Sequence, residues 1–121
     1  MASIFEATAG SLIGPTNGTS VTQATNKSTG VTANAATGVI TMNNAALAAA
    51  AEVSFTVTCS EVTATDVIVV NHASGGTAGS YLVQANNIFA GFFNITVANV
   101  SGGSLSEAIV LNFVALKGAS S

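Results

Sequence analysis

The chain has no arginine and no tryptophan, and only one cysteine, one proline, one tyrosine and one histidine among 121 residues. Each shortage removes a class of reading. Lys27 and Lys117 are the whole basic complement against five acids, giving a formal net charge of −3. Nucleic-acid binding draws on clustered Lys and Arg that displace counterions. Two isolated lysines exclude it and also disfavour an anionic membrane surface. A lone Cys59 excludes an intrachain disulfide. No stretch approaches the roughly 20 unbroken apolar residues of a spanning helix. Charged residues make up 6% of the chain, where about 25% is usual. Thr, Ser, Asn and Gln must therefore supply the surface polarity. Low charge with many hydroxyls and small residues is typical of extracellular or virion β-proteins, which bury much of their surface in assembly.

The same scarcity limits chemistry. A metal site needs several His, Cys or carboxylate groups converging. His72 is the sole histidine, and Asp66, the nearest acid, lies about 20 Å away along a strand, so those two alone cannot share an ion. A histidine ring on a subunit axis could bind one with its symmetry mates; the ordinary reading is a hydrogen-bonded residue at a strand end. Glu6, Glu52, Glu61, Asp66 and Glu107 are scattered, which disfavours the facing carboxylates of a glycosidase. There is no Gly-x-Ser-x-Gly elbow and no phosphate loop. Sugar-binding sandwiches usually lean on exposed aromatics, and with Tyr81 alone and no tryptophan that reading ranks low. No catalytic, cofactor-binding or metal-binding residue is therefore assigned. Cys59 reads as a small buried hydrophobe. Asn17, Asn26, Asn94 and Asn99 head glycosylation triplets, but Met1 to Glu6 shows no secretory signal, so no glycans are assigned.

What the chain does have is alternation. Val53, Phe55, Val57 and Cys59 alternate with Glu52, Ser54, Thr56 and Thr58, the period of a strand with one apolar and one hydroxyl-lined face. After a polar loop, Asp66 to Asn71 is apolar on both faces, and the two runs read as an antiparallel pair. β-Branched residues favour strand over helix in both. Further strands are expected at Thr19–Thr25, Val31–Asn34, Val39–Met42, Ser80–Asn86, Phe92–Ala98 and Glu107–Leu116. The second and third of these, in chain order Val31–Asn34 and Val39–Met42, read as a hairpin about Ala35–Gly38. Asn43–Ala51 has the Ala and Leu content of a short helical turn, with Asn44 as a cap. In the last strand Ile109, Leu111 and Phe113 share one face, and Val110, Val114 and Leu116 share the other.

About eight short strands with Gly/Asn/Ser loops specify an all-β protein, an eight-stranded antiparallel β-sandwich or jelly-roll-like barrel. Residues 19–121 form the single domain, and residues 1–18 are an N-terminal arm or leader. Two strands apolar on both faces need cover outside their own core, which suggests packing between subunits. Val110, Val114 and Leu116 are the candidate subunit interface. Phe5, Leu12 and Ile13 lie in the leader with no core of their own, and are the candidate partner contacts.

One resemblance ties these features together. Val21–Thr32, Gly38–Met42, Ala46–Ala49, Val53–Thr58, Asp66–His72, Ser74–Thr77 and Gly103–Ile109 resemble a module of tailed-phage structural proteins. The match runs from about Thr19 to Leu116. It is similar to phage head decoration, or cement, proteins and to domains of tail fibres and spikes. The resemblance implies a trimeric β-sandwich or jelly roll on a virion and leaves head and tail both open. The leading expectation is a non-enzymatic capsid decoration protein made in the bacterial host cytoplasm. Its partners would be the major capsid protein, on the outer capsid surface, and two further copies of itself, with no cofactor, nucleic acid or membrane. The alternatives are a tail-fibre or tailspike β-domain for host attachment and a small carbohydrate-binding or hydrolytic β-protein.

Overall fold

Alternating β-branched residues form strands throughout the computed structural model, which describes residues 18–118. The eight strands are β1 (Gly18–Thr22), β2 (Val31–Thr32), β3 (Thr37–Thr41), β4 (Glu52–Thr58), β5 (Val67–Ser74), β6 (Tyr81–Phe89), β7 (Phe92–Asn99) and β8 (Val110–Leu116). They make two four-stranded sheets, in the orders β1-β3-β8-β5 and β2-β4-β7-β6. The expected all-β, sandwich-like arrangement is present.

The structure corrects the sequence reading in four places. Both sheets are mixed, because β1 pairs with β3 in parallel and β2 with β4 in parallel. From β1 to β6 each connection carries the chain to the opposite sheet and reverses its direction. Two such crossings return it to the first sheet running the same way, so parallel neighbours follow. For the same reason β2 and β3 are not a hairpin. Their linker is an arch across one end of the sandwich: Ala33 N–H donates to Thr58 O of one sheet, and Ala115 N–H of the other sheet donates to Ala36 O. The central runs β4 and β5 likewise lie in different sheets, so they do not pair.

The fourth correction is Asn43–Ala51, which contains no helix. Leu47 is buried and exchanges backbone hydrogen bonds with Leu105. The Asn43 side chain, rather than Asn44 as a cap, organises the segment by accepting from Ala45 N–H. A stretch this short gains little from helix propensity alone. Burying Leu47 and pairing its backbone with the connection before β8 outweighs it.

The core fills the space between the sheets. Phe93 and Phe113, from opposite sheets, meet edge to face with centroids 5.4 Å apart. Ile40, Val57, Ile95, Val97, Ile109 and Leu111 are fully buried beside them. Phe113 pairs with Gly38 of β3, and its ring occupies the space where a side chain at residue 38 would stand. A Cβ there would lie 2.6 Å from Phe113 Cε1 and 3.2 Å from Thr19 O. Gly38→Ala should therefore push the ring from its place and destabilise the fold by about 1–3 kcal/mol. Chemical denaturation checks this, and an unchanged midpoint would refute it.

Candidate functional site

Two regions outside the core stand out, a polar junction at one end of the sandwich and the outer face of the β8 sheet.

The connections β1–β2, β3–β4, β5–β6 and β7–β8 all lie at the junction end, as the strand directions require. Lys27, in the first, is buried, and its ammonium donates to Glu107 O at 2.6 Å and to Asn43 O. Burial pushes Lys27 below its ordinary pKa, and the Glu107 charge pulls it part of the way back. Gln23 is also buried; it donates to Lys27 O and Thr29 O and accepts from Asn43 N–H. The Glu107 carboxylate holds the glycine-rich β5–β6 loop. It accepts from Thr77 N–H at 3.0 Å, Thr77 Oγ1 at 2.8 Å and Tyr81 OH at 2.8 Å. A side chain at Gly76, where φ is +69°, would stand 2.8 Å from Glu107 Oε1. Glycine is therefore required there both for its backbone angle and for the close approach.

His72 completes the junction. Its Nε2 pairs with Gly75 O at 2.6 Å, and its ring stands edge-on to Tyr81 at 5.4 Å. Hydrogen bonds from Tyr81 and Thr77, with the nearby His72, hold Glu107 below the usual carboxylate range. Burial and the Glu107 hydrogen bond push Tyr81 up to about 12. Asp66 lies at the other end of β5. Burial pulls it upward, but bonds from Thr63 and from Lys117, 3.1 Å away, outweigh that and hold it low. His72 and Asp66 are thus separated, each engaged locally. No cluster of three metal-ligating side chains occurs among the described residues. Cys59 is buried, with its thiol against Ala35 O at 3.1 Å.

The second region is formed by β3, β8 and β5. Val110, Val114 and Leu116 lie half-buried on the outer side of β8, opposite the buried Leu111, Phe113 and Ala115. Val114 stands between Thr37 of β3 and Val69 of β5, and Leu116 stands beside Val67. Val67 and Val69 are 54% and 40% exposed, and Val39 joins them from β3. Asn71 and Asn112 sit abreast near the middle. No outward position on these three strands carries a charge. The three predicted interface residues are therefore together on one apolar, uncharged surface. Phe5, Leu12 and Ile13 lie outside the described residues.

Sequence reasoning missed the junction. Lys27 and Glu107 are 80 residues apart, and neither sits in a recognisable motif. No family model, curated protein or solved structure matches this chain. Among the described residues there is no helix long and apolar enough to cross a membrane.

Carboxylates at both ends of the sandwich make stability acid-sensitive. Glu107 and Asp66 are held low in the folded state, so their contribution is present above the unfolded carboxylate pKa of about 4 and is lost as pH falls through the folded values. The melting temperature should hold from neutral pH to about pH 5 and fall below about pH 4. In Glu107→Gln the melting temperature should be lower at neutral pH and fall less on acidification. A variant with the full wild-type acid dependence would show that Glu107 does not carry it.

Proposed function

We propose that this chain is a non-enzymatic virion protein that binds the outer surface of a phage capsid as a trimer and stabilises the head. The observation that carries the reading is the uncharged apolar outer face of the β8 sheet. A face bearing Val39, Val67, Val69, Val114 and Leu116 gains from cover, at roughly 1.5–3 kcal/mol for each such side chain fully buried. Copies of the chain can supply that cover without like charges meeting. Asn71 and Asn112 give the contact a polar centre able to exchange hydrogen bonds with another copy and fix its register, as a buried amide does in coiled coils.

The resemblance to phage structural modules gives the reading its class, and three copies is the number it implies. Decoration acts by mass action, since a ligand that binds only the assembled shell stabilises that shell. The non-enzymatic part rests on the ionisable groups: His72, Asp66 and Glu107 are each tied into local structure. Phe5, Leu12 and Ile13 of the N-terminal arm are proposed to contact the major capsid protein. Docking such an arm costs about 1–2 kcal/mol of entropy for each residue fixed, which the apolar anchors must offset.

Two variants test these claims separately. Val114→Asp places a charge at the proposed contact while leaving the core untouched, so it should yield a folded monomer where the wild type is a trimer. Light scattering reads the mass, and a wild-type monomer at micromolar concentration would sink the oligomer claim. Deleting residues 1–15 should leave the trimer intact and abolish binding to undecorated shells. If the truncated trimer saturates shells with unchanged affinity, the arm is not the anchor.

A further inference from the structure

The outer face of the β7 sheet has a different chemistry. The registers lay Thr58, Phe92 and Phe89 abreast at one end, followed by Thr56, Asn94 and Asn86. Next come Ser54, Thr96 and Gln84, then Glu52, Ala98 and Leu82 at the far end. Hydroxyls and amides thus fill the middle. They are fixed against one another: Ser54 Oγ and Thr96 Oγ1 are 2.7 Å apart, Thr56 donates to Asn94 Oδ1 at 2.9 Å, and Asn86 Nδ2 donates to Thr96 Oγ1 at 2.9 Å. The Asn94 amide nitrogen, the Gln84 amide and the Glu52 carboxylate have no such engagement among the described residues. A cavity of about 350 Å³ opens over Glu52, Gln84 and Thr96.

Phe89 reaches this face only through a backbone irregularity. The register between β6 and β7 shifts by one residue between Asn86 and Phe89, where Asn87 has φ of +51°. Without the bulge, alternation from Asn86 would turn Phe89 toward the core. With it, Ile88 packs on the core and Phe89 faces out. Re-aiming a side chain is a recurrent use of β-bulges. Phe89 and Phe92 then stack with centroids 5.1 Å apart and remain 50% and 38% exposed. A face that merely meets water gains nothing from an aromatic pair turned outward.

We propose that this face binds a neutral oligosaccharide, with the C–H face of one sugar ring on Phe89 and Phe92 and the ring hydroxyls of its neighbours bonded to Asn94, Gln84 and Glu52. The charge pattern selects the ligand. Glu52 is the only charge on the face; Lys27 is buried and Lys117 is paired with Asp66. An anionic glycan or phosphate would meet repulsion and no cation. A protein partner fits less well, since protein interfaces have an apolar centre and a polar rim, and here the polar groups are central and the apolar residues terminal. Asn94, already held through its oxygen by Thr56, loses little freedom on binding. The two aromatics of this platform are phenylalanines, so counting Trp and Tyr does not find it. The assignment does not rest on the virion reading.

The test is a titration of the isotope-labelled full chain with maltohexaose, xylohexaose and chitohexaose at millimolar concentration, followed by amide NMR. At least one should shift resonances confined to β4, β6 and β7. Phe92→Ser, at an exposed position, should weaken that binding by about tenfold or more, with the β8 resonances unmoved as the control for folding. Val114→Asp should leave it unchanged. No shift with any of the three sugars, or equal affinity in Phe92→Ser, overturns the proposal. So does loss of shell binding in Phe92→Ser without any sugar response, which would make the face a protein contact.

Discussion

Backbone groups at the ends of the sandwich must find partners away from water, and the structure depends on meeting that requirement. Sheet ladders satisfy the strands, but a chain that repeatedly crosses between sheets carries peptide groups over the edge of the core at each crossing. An unpaired buried carbonyl or amide costs about 1–3 kcal/mol. Among the described residues Gln23, Lys27, Asp66, Ser80 and Asn99 are the buried polar ones, and all five lie in or beside connections. Asn99 shows the principle: its amide donates to Leu47 O and Gly103 O, while its oxygen accepts from Ser101. No buried side-chain nitrogen or oxygen among the described residues lacks a partner.

Meeting the demand at the ends leaves the two broad faces free to differ. Inward positions are fixed by packing, with Phe93 against Phe113 at the centre. Outward positions have no such duty, and the sheets use them differently. The β8 sheet turns out valine and leucine around an amide pair. The β7 sheet turns out a hydroxyl and amide grid closed at one end by phenylalanine. The same scaffold thus offers one apolar broad surface and one polar one.

How much of this could be read in advance depends on the kind of information involved. Period-two alternation assigned the strands and their inward sides correctly, including Leu111 and Phe113 inside and Val114 and Leu116 outside. Alternation says nothing about which strand pairs with which, so β2–β3 and β4–β5 read as neighbours although they lie in different sheets. The alanine run before Glu52 carried helix propensity but not the identity of its partner, Leu105, which only the fold supplies. Phe89 escaped because the expected strand stops at Asn86, short of the bulge that turns this ring outward. The Lys27–Glu107 junction escaped because a contact between distant loops leaves no local pattern.

The shortage of charge then has a structural meaning. Lys27, Asp66, Glu107 and Lys117 all bind local partners, so four of the six lysines and acids among the described residues serve the connections. Only Glu52 and Glu61 remain. A protein that commits its ions to its ends presents nearly neutral faces. Electrostatic steering, which accelerates association between charged partners, has little to act on here. Recognition on either face must come from short-range complementarity: apolar cover for the valines of the β8 sheet, and directed hydrogen bonds for the amides of the β7 sheet. Such contacts require well-ordered surfaces, because misplaced groups cannot be compensated by long-range attraction. The buried polar residues that fix the ends are what keep both faces in register.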